Sequence, residues 1–236
     1  MSERTFLQLV QDTVADLGIQ GGSGPATLTD LEGEFANIQR WVAEADLYVQ
    51  MLWLDWDFLW VEDTNTIPID THLLIAPASS ALIRRVESRS LTLRPGTSTA
   101  FVPKYMDWRE FRDKYEIRAR TTMENPSAWT ITPSRQVRLS HDVSANTDYR
   151  FEFWKWPQRM TAAGDYSALP GPMDRIIVRK AQMIYAGRED APEIMTWASA
   201  EYADLLEKLE ASCLPQNSPS RTQRNDPDAM ASISFG

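Results

Sequence analysis

Cysteine and histidine are nearly absent from this chain: its 236 residues hold one cysteine, Cys213, and two histidines, His72 and His141. A single cysteine excludes an internal disulfide framework and suits a reducing compartment. So few thiol and imidazole ligands give no recognisable metal site, and no cofactor is expected. Long apolar runs are missing too. None reaches the eighteen or so residues of a membrane span, and the opening MSERTFLQLV has no signal-peptide hydrophobic region. Positive charge is scarce: 24 Lys and Arg face 33 Asp and Glu, a net charge of −9. That balance argues against gripping nucleic acid by phosphate neutralisation. It does not exclude a surface past which DNA slides.

What is present is ordinary in bulk and uneven in layout. A hydrophobic fraction of 43% suits a globular chain of one domain or two small ones. From Thr29 to Trp60, the residues Leu31, Phe35, Ile38, Val42, Ala45, Val49, Leu52 and Trp56 recur at spacings of four and three. That is the seam of an amphipathic helix. Thr29 and Glu32 form a capping-box pattern, so the spacing predicts a helix from Asp30 to Asp55, about 39 Å long. Upstream, Thr5 opens a shorter helix with Phe6, Val10, Val14 and Leu17 on one face, and Gly18 stops it. A glycine-rich loop, Gly21 to Thr29, joins the two as an αα-hairpin.

Between Val61 and Pro157, prolines recur and the period changes. Strands are expected at 81–86, 90–93, 128–132, 136–140 and 149–155, with one helix at 107–117. Helical signal returns from Pro172 to Gly187 and again after Asp190, Pro192 and Glu193, ending before Pro215. The expected class is therefore α+β. In this reading a mainly α-helical bundle of two N-terminal and two C-terminal helices (1–60 and 170–213) carries a β-rich insertion (61–169). A polar tail (214–236) has little to bury and should be disordered alone.

Catalytic patterns are weak. His141-Asp142 could be a base and its orienter, but neighbours on a strand point to opposite faces. Cys213 could be a nucleophile, though a small buried residue at a helix end is the simpler reading. Gly21-Gly22-Ser23-Gly24 resembles part of a phosphate loop, without the following Lys-Ser/Thr or a preceding strand. No enzyme is expected. Trp154 and Trp156 beside Lys155 could stack on sugars or bases, but burying nine tryptophans in cores and interfaces is a sufficient explanation.

Charge layout suggests assembly. Arg84 to Arg120 holds ten bases and five acids, while Thr29 to Trp60 holds seven acids and one base. The basic segment of one copy could meet the acidic helix of the next, head to tail, closing into a ring where the rotation permits. Glu44, Asp46, Arg84, Arg85, Arg112 and Arg118 are the candidate contact residues.

Several stretches together resemble the head-to-tail adaptor (connector) proteins of tailed bacteriophages, of the tail tubular protein A type. They are TLTDLEGEFANIQRWV with WLDWDFLW; PSAWTITPSRQVRLS and DYRFEFWKWP ahead of ALPGPMDRIIVRKAQMIYAG; and REDAPEIMTWASAEYADLLEKLE with its polar tail. The resemblance implies a virion protein at the neck, assembled in the cytoplasm of an infected bacterium. It implies a ring of about 12 copies beneath the portal protein, continuing the DNA channel and receiving a tail or nozzle protein. DNA would pass the lumen without sequence-specific binding, and the tail would dock on the portal through Leu214, Pro215, Ile233 and Phe235. Another neck ring, a head-completion or tail-terminator protein, is the neighbouring expectation. A tryptophan-based carbohydrate-binding accessory protein is the expectation from another class.

Overall fold

The computed structural model describes residues 2–19, 24–74, 83–96, 99–117, 122–123 and 125–215. They fall into two compact units, one formed by residues up to Leu59 and from Pro157 onward, the other by Trp60–Trp156.

In the first unit, α1 (Phe6–Leu17) starts on a full capping box. Thr5 Oγ1 accepts from the Gln8 amide and Gln8 Oε1 accepts from the Thr5 amide, at 3.3 and 2.8 Å. Gly18 ends the helix at φ 69°, a left-handed conformation that glycine takes without a Cβ clash. α2 runs from Gly33 to Met51, shorter than its seam predicts at both ends. Asp30 and Gly33 hold φ values of 55° and 61°, so a right-handed helix cannot run through them, and the Thr29–Glu32 box does not form. At the other end the Trp56 indole N–H donates to the Val49 carbonyl at 3.2 Å, closing the last turn from the side. Ile38, Val42, Ala45, Val49, Leu52 and Trp56 of the seam are buried, whereas Leu31 and Phe35 are half-buried.

α4 (Arg175–Glu189) begins three residues after Pro172 and passes through Gly187, stopping where Asp190 turns left-handed at φ 52°. α5 (Pro192–Cys213) starts with Pro192 in its first turn, where the missing N–H costs nothing. α1, α2 and α4 pack on one another, and α5 lies against α4. Residues 157–169, expected with the strands, belong to this unit. The Phe6 and Leu7 amides donate to the Asp165 and Ala163 carbonyls at 2.8 and 3.1 Å.

The second unit is built on β9 (Thr147–Lys155). β1 (Trp60–Ile67) pairs with it antiparallel along one edge; β2 (Ile83–Val86) and β3 (Thr92–Pro95) pair along the other. A second sheet holds β4 (Lys104–Tyr105), β6 (Ala128–Ile131) and β7 (Val137–Leu139), and β5 (Thr122–Met123) pairs with β8 (Asp142–Val143). Between β4 and β5 the expected long helix is one α-turn, α3 (Trp108–Phe111), followed by a π-turn at Arg112–Glu116. The inward side chains of β9, Tyr149, Phe151 and Phe153, join Trp129, Leu91, Leu93 and Leu139 in one apolar core.

The class is α+β, but the expectation of a mainly helical bundle carrying a β-rich insertion is overturned. Among the described residues five helices stand beside nine strands, and the strands enclose a large core of their own. Period-two patterning marked only part of this. No strand was expected over β1, because half of its side chains face water and give no apolar alternation; only pairing with β9 makes it a strand.

Candidate functional site

The outward face of the four-stranded sheet collects the chain's surface chemistry. Register places Trp60 opposite Trp154, and Arg85 opposite Trp154 on the other side. Trp60 and Trp156 remain 41% and 38% exposed. The Arg84 guanidinium lies 5.1 Å from the Trp156 ring centre, and that of Arg85 lies 5.4 Å from Trp154. Trp154 and Trp156 thus each carry a cation over one face of the indole. Further along, Glu62 and Glu152 face each other and are bridged by Arg150 at 2.6 and 2.9 Å. Beyond them a shallow polar groove of about 540 Å³ runs over Thr64, Thr66, Thr92, Arg94 and Asp148.

The acid–base candidates separate. His141 Nδ1 meets Ser140 Oγ at 2.9 Å, while Asp142 pairs with His72, Oδ1 to Nδ1 at 2.8 Å. The sequence pair His141-Asp142 is therefore not a dyad. The real pair joins residues seventy apart, and nothing local in the sequence marks it. It clips the segment after β1, whose Thr71 and His72 carbonyls accept from the Val143 and Leu139 amides at 2.9 and 2.8 Å. No hydroxyl or thiol is hydrogen-bonded to the other His72 nitrogen among the described residues. Cys213 is buried, and burial pushes its thiol above the ordinary range, away from the nucleophilic thiolate. Among the described residues no three His, Cys, Asp or Glu side chains converge to hold a metal, and no helix is long and apolar enough to cross a membrane. The phosphate-loop glycines 21–23 lie outside the described residues.

The candidate contact residues divide in the same way. Glu44 is exposed on α2 and faces Arg40 at 3.9 Å. Asp46, expected beside it on the surface, is fully buried. Its carboxylate accepts from the Ser167 hydroxyl at 2.5 Å and the Gln50 amide at 2.8 Å, and burial pushes its pKa up to about 6. It belongs to the core because α2 turns that side toward residues 157–169, not toward water. Asp55, just beyond α2, is buried as well, so the Thr29–Trp60 stretch presents fewer acids to water than its sequence holds. Arg84 and Arg85 are half-buried on β2, and Arg112 is exposed beside Asp113. Leu214 is buried and Pro215 half-buried at the end of α5, while Arg118, Ile233 and Phe235 lie outside the described residues.

The division into units sharpens the charge pattern. Trp60–Trp156 holds 14 bases and 12 acids, leaving 10 bases and 21 acids for the rest. The strand unit is slightly basic at +2 and the remainder strongly acidic at −11. No protein-family model matches the chain, and no curated protein matches it. Its function has to be read from geometry and charge.

Proposed function

We propose that this is a structural protein of a tailed-bacteriophage virion, the head-to-tail adaptor. In this reading copies assemble head to tail into a ring that joins the portal to the tail and continues the DNA channel. The observation that carries the reading is the division of charge, +2 on the strand unit against −11 elsewhere. Opposite charge on different units of one chain favours heterologous contacts between copies and penalises like-to-like ones. A net charge of −9 also suits a lumen through which DNA must pass without being held. The layout likeness to adaptor sequences points the same way. An anchor on the portal would begin beyond Leu214, since that residue is already used inside its own unit.

Electron microscopy of the purified chain mixed with portal-bearing capsids tests the reading. A ring of added density below the portal is the expected result. Particles that stay bare at saturating protein would defeat it. Removing residues 216–236 is expected to leave the fold intact and to abolish docking.

A further inference from the structure

The longest sheet edge among the described residues has no partner. Leu93 of β3 exchanges both backbone hydrogen bonds with Phe101, each at 2.9 Å. Thr92 and Arg94 therefore bond to β9, at Arg150 and Asp148. Alternation along β9 turns Tyr149, Phe151 and Phe153 the other way, onto Asn65, Asp63 and Val61 of β1. The amides and carbonyls of Glu62 and Thr64 consequently point away from the sheet. The Thr66 amide does too, and it closes on the neighbouring Asn65 Oδ1 at 2.8 Å. No backbone group among the described residues meets Glu62 or Thr64 on that side. The opposite edge is partly closed, since the Ile83 carbonyl of β2 accepts from Arg135 at 2.8 Å and Leu93 is held by Phe101. An open edge of eight residues is a template for one more strand.

A segment outside the described residues suits it. Residues 229–236, AMASISFG, alternate Ala229, Ala231, Ile233 and Phe235 with Met230, Ser232 and Ser234, a period-two pattern with one apolar row. They match β1 in length and carry no charged side chain. A second β1 is the poorer occupant, because it would set another Glu62 and Asp63 against an edge that already carries both. Within the helical unit, the Trp53 indole donates to Glu210 at 3.0 Å. Burial raises the Cys213 thiol, and the nearby Asp57 carboxylate adds to that push. α5 therefore ends near Asp57. Ile67, the far end of β1, is ten residues further along the chain, at most about 34 Å at strand rise. Residues 216–228 span up to about 45 Å when extended, enough to bring the segment to β1.

We propose that residues 229–236 pair with the outer edge of β1 in their own chain as an added strand. Their backbone satisfies Glu62 and Thr64, and their apolar row extends the inner face of the sheet beside Val61, which is half-buried against the strand core. A tether of thirteen residues, 216–228, holds the segment at an effective concentration on the order of millimolar, above that of a second copy in dilute solution. The pairing is independent of the assembly reading. It belongs to the chain before it meets a partner, and docking of these residues elsewhere requires their release from β1.

Amide hydrogen exchange of the full chain, resolved by residue in NMR spectra, reads the pairing directly. The Glu62 and Thr64 amides are expected to exchange about tenfold or more slowly in the wild type than in a chain ending at Asp228. Ile233→Asp with Phe235→Asp is expected to release both amides at full length. Exchange in α4 is expected to stay the same in all three chains, which shows the fold intact. Equal protection of Glu62 and Thr64 in the three chains overturns the proposal, and so does fast exchange of both amides in the wild type. Protection that grows with protein concentration overturns pairing within the chain and assigns the edge to a second copy. The adaptor reading fails separately. Capsid docking by a chain whose free form leaves both amides unprotected defeats the pairing alone, and protected amides in a chain that leaves capsids bare defeat the adaptor alone.

Discussion

The two units solve the same problem, burying a core, with different materials. The strand unit uses aromatic and aliphatic side chains: Phe151 stacks on Phe153 with ring centres 5.4 Å apart and meets Trp129 edge-on at 5.6 Å. The helical unit ties its elements with buried polar groups. Asp174 accepts from Ser2 at 2.9 Å and from Arg4 at 2.8 Å. Arg179 reaches Asp16 and Glu201, both at 2.7 Å, and Asp46 holds Ser167. Apolar packing is generous with partners, whereas a buried charge accepts few, so the helical unit owes its pairing more to specific contacts. The same unit carries 21 of the 33 acids and all of the net negative charge, and part of that charge is structural.

The largest expected effect strikes the apolar core. Phe151→Ala should cost about 3–5 kcal/mol, since the cavity is walled by sheet and cannot collapse. Hydrogen exchange should then rise across β1, β2 and β9. Equal loss of protection in α1 and α4 would show that the units do not open separately.

Next comes the buried acid of the other unit. The pKa of Asp46 is about 6, above its ordinary 3.8, so between these values the folded chain holds a proton that the unfolded chain releases. The stability linked to this group is full below about pH 4 and declines as pH rises through 6, by at most about 3 kcal/mol. Asp46→Asn should remove that decline and be no less stable than the wild type at pH 8. Urea titrations at pH 4, 6 and 8 measure it, and an unaltered slope would refute the assignment.

Arg179→Met keeps an unbranched apolar stem but removes the guanidinium charge. Asp16 and Glu201, each partly exposed, would lose a shared partner, with Arg175 still nearby. A loss of about 2 kcal/mol is expected, below the full cost of a stranded buried ion because water can reach both acids. Raising salt should narrow the gap between variant and wild type. Thr5→Ala is the smallest change, about 1 kcal/mol from the lost cap of α1, read as a lower thermal midpoint.

Much of the helical unit was legible because its signals are local. Thr5 with Gln8, Gly18 and the i, i+3, i+4 runs act within one or two turns of chain, so neighbours in sequence are the neighbours that matter. β9 was legible for the same reason: alternating Tyr149, Phe151 and Phe153 with polar residues needs only the pleat. The β2, β6 and β7 expectations fell within a residue or two of the observed strands. The polar β1 was missed, and the two-residue strands β4, β5 and β8 are too short for any pattern. The Asp107–Ile117 helix proved half π-turn, since Trp108, Phe111 and Tyr115 share a face in either geometry.

For the candidate site the balance reverses. The chain's own residues determined that charge is segregated and that Arg84 and Arg85 are adjacent. Only the tertiary structure decided that Asp46 lies inside, that Asp142 belongs to His72, and that Arg135 turns back to the carbonyl of Ile83. The physical reason is range. Period and capping are energies between residues a few positions apart, whereas burial of a carboxylate and the pairing of a histidine with a distant acid depend on strand register and helix packing, which join segments dozens of residues apart.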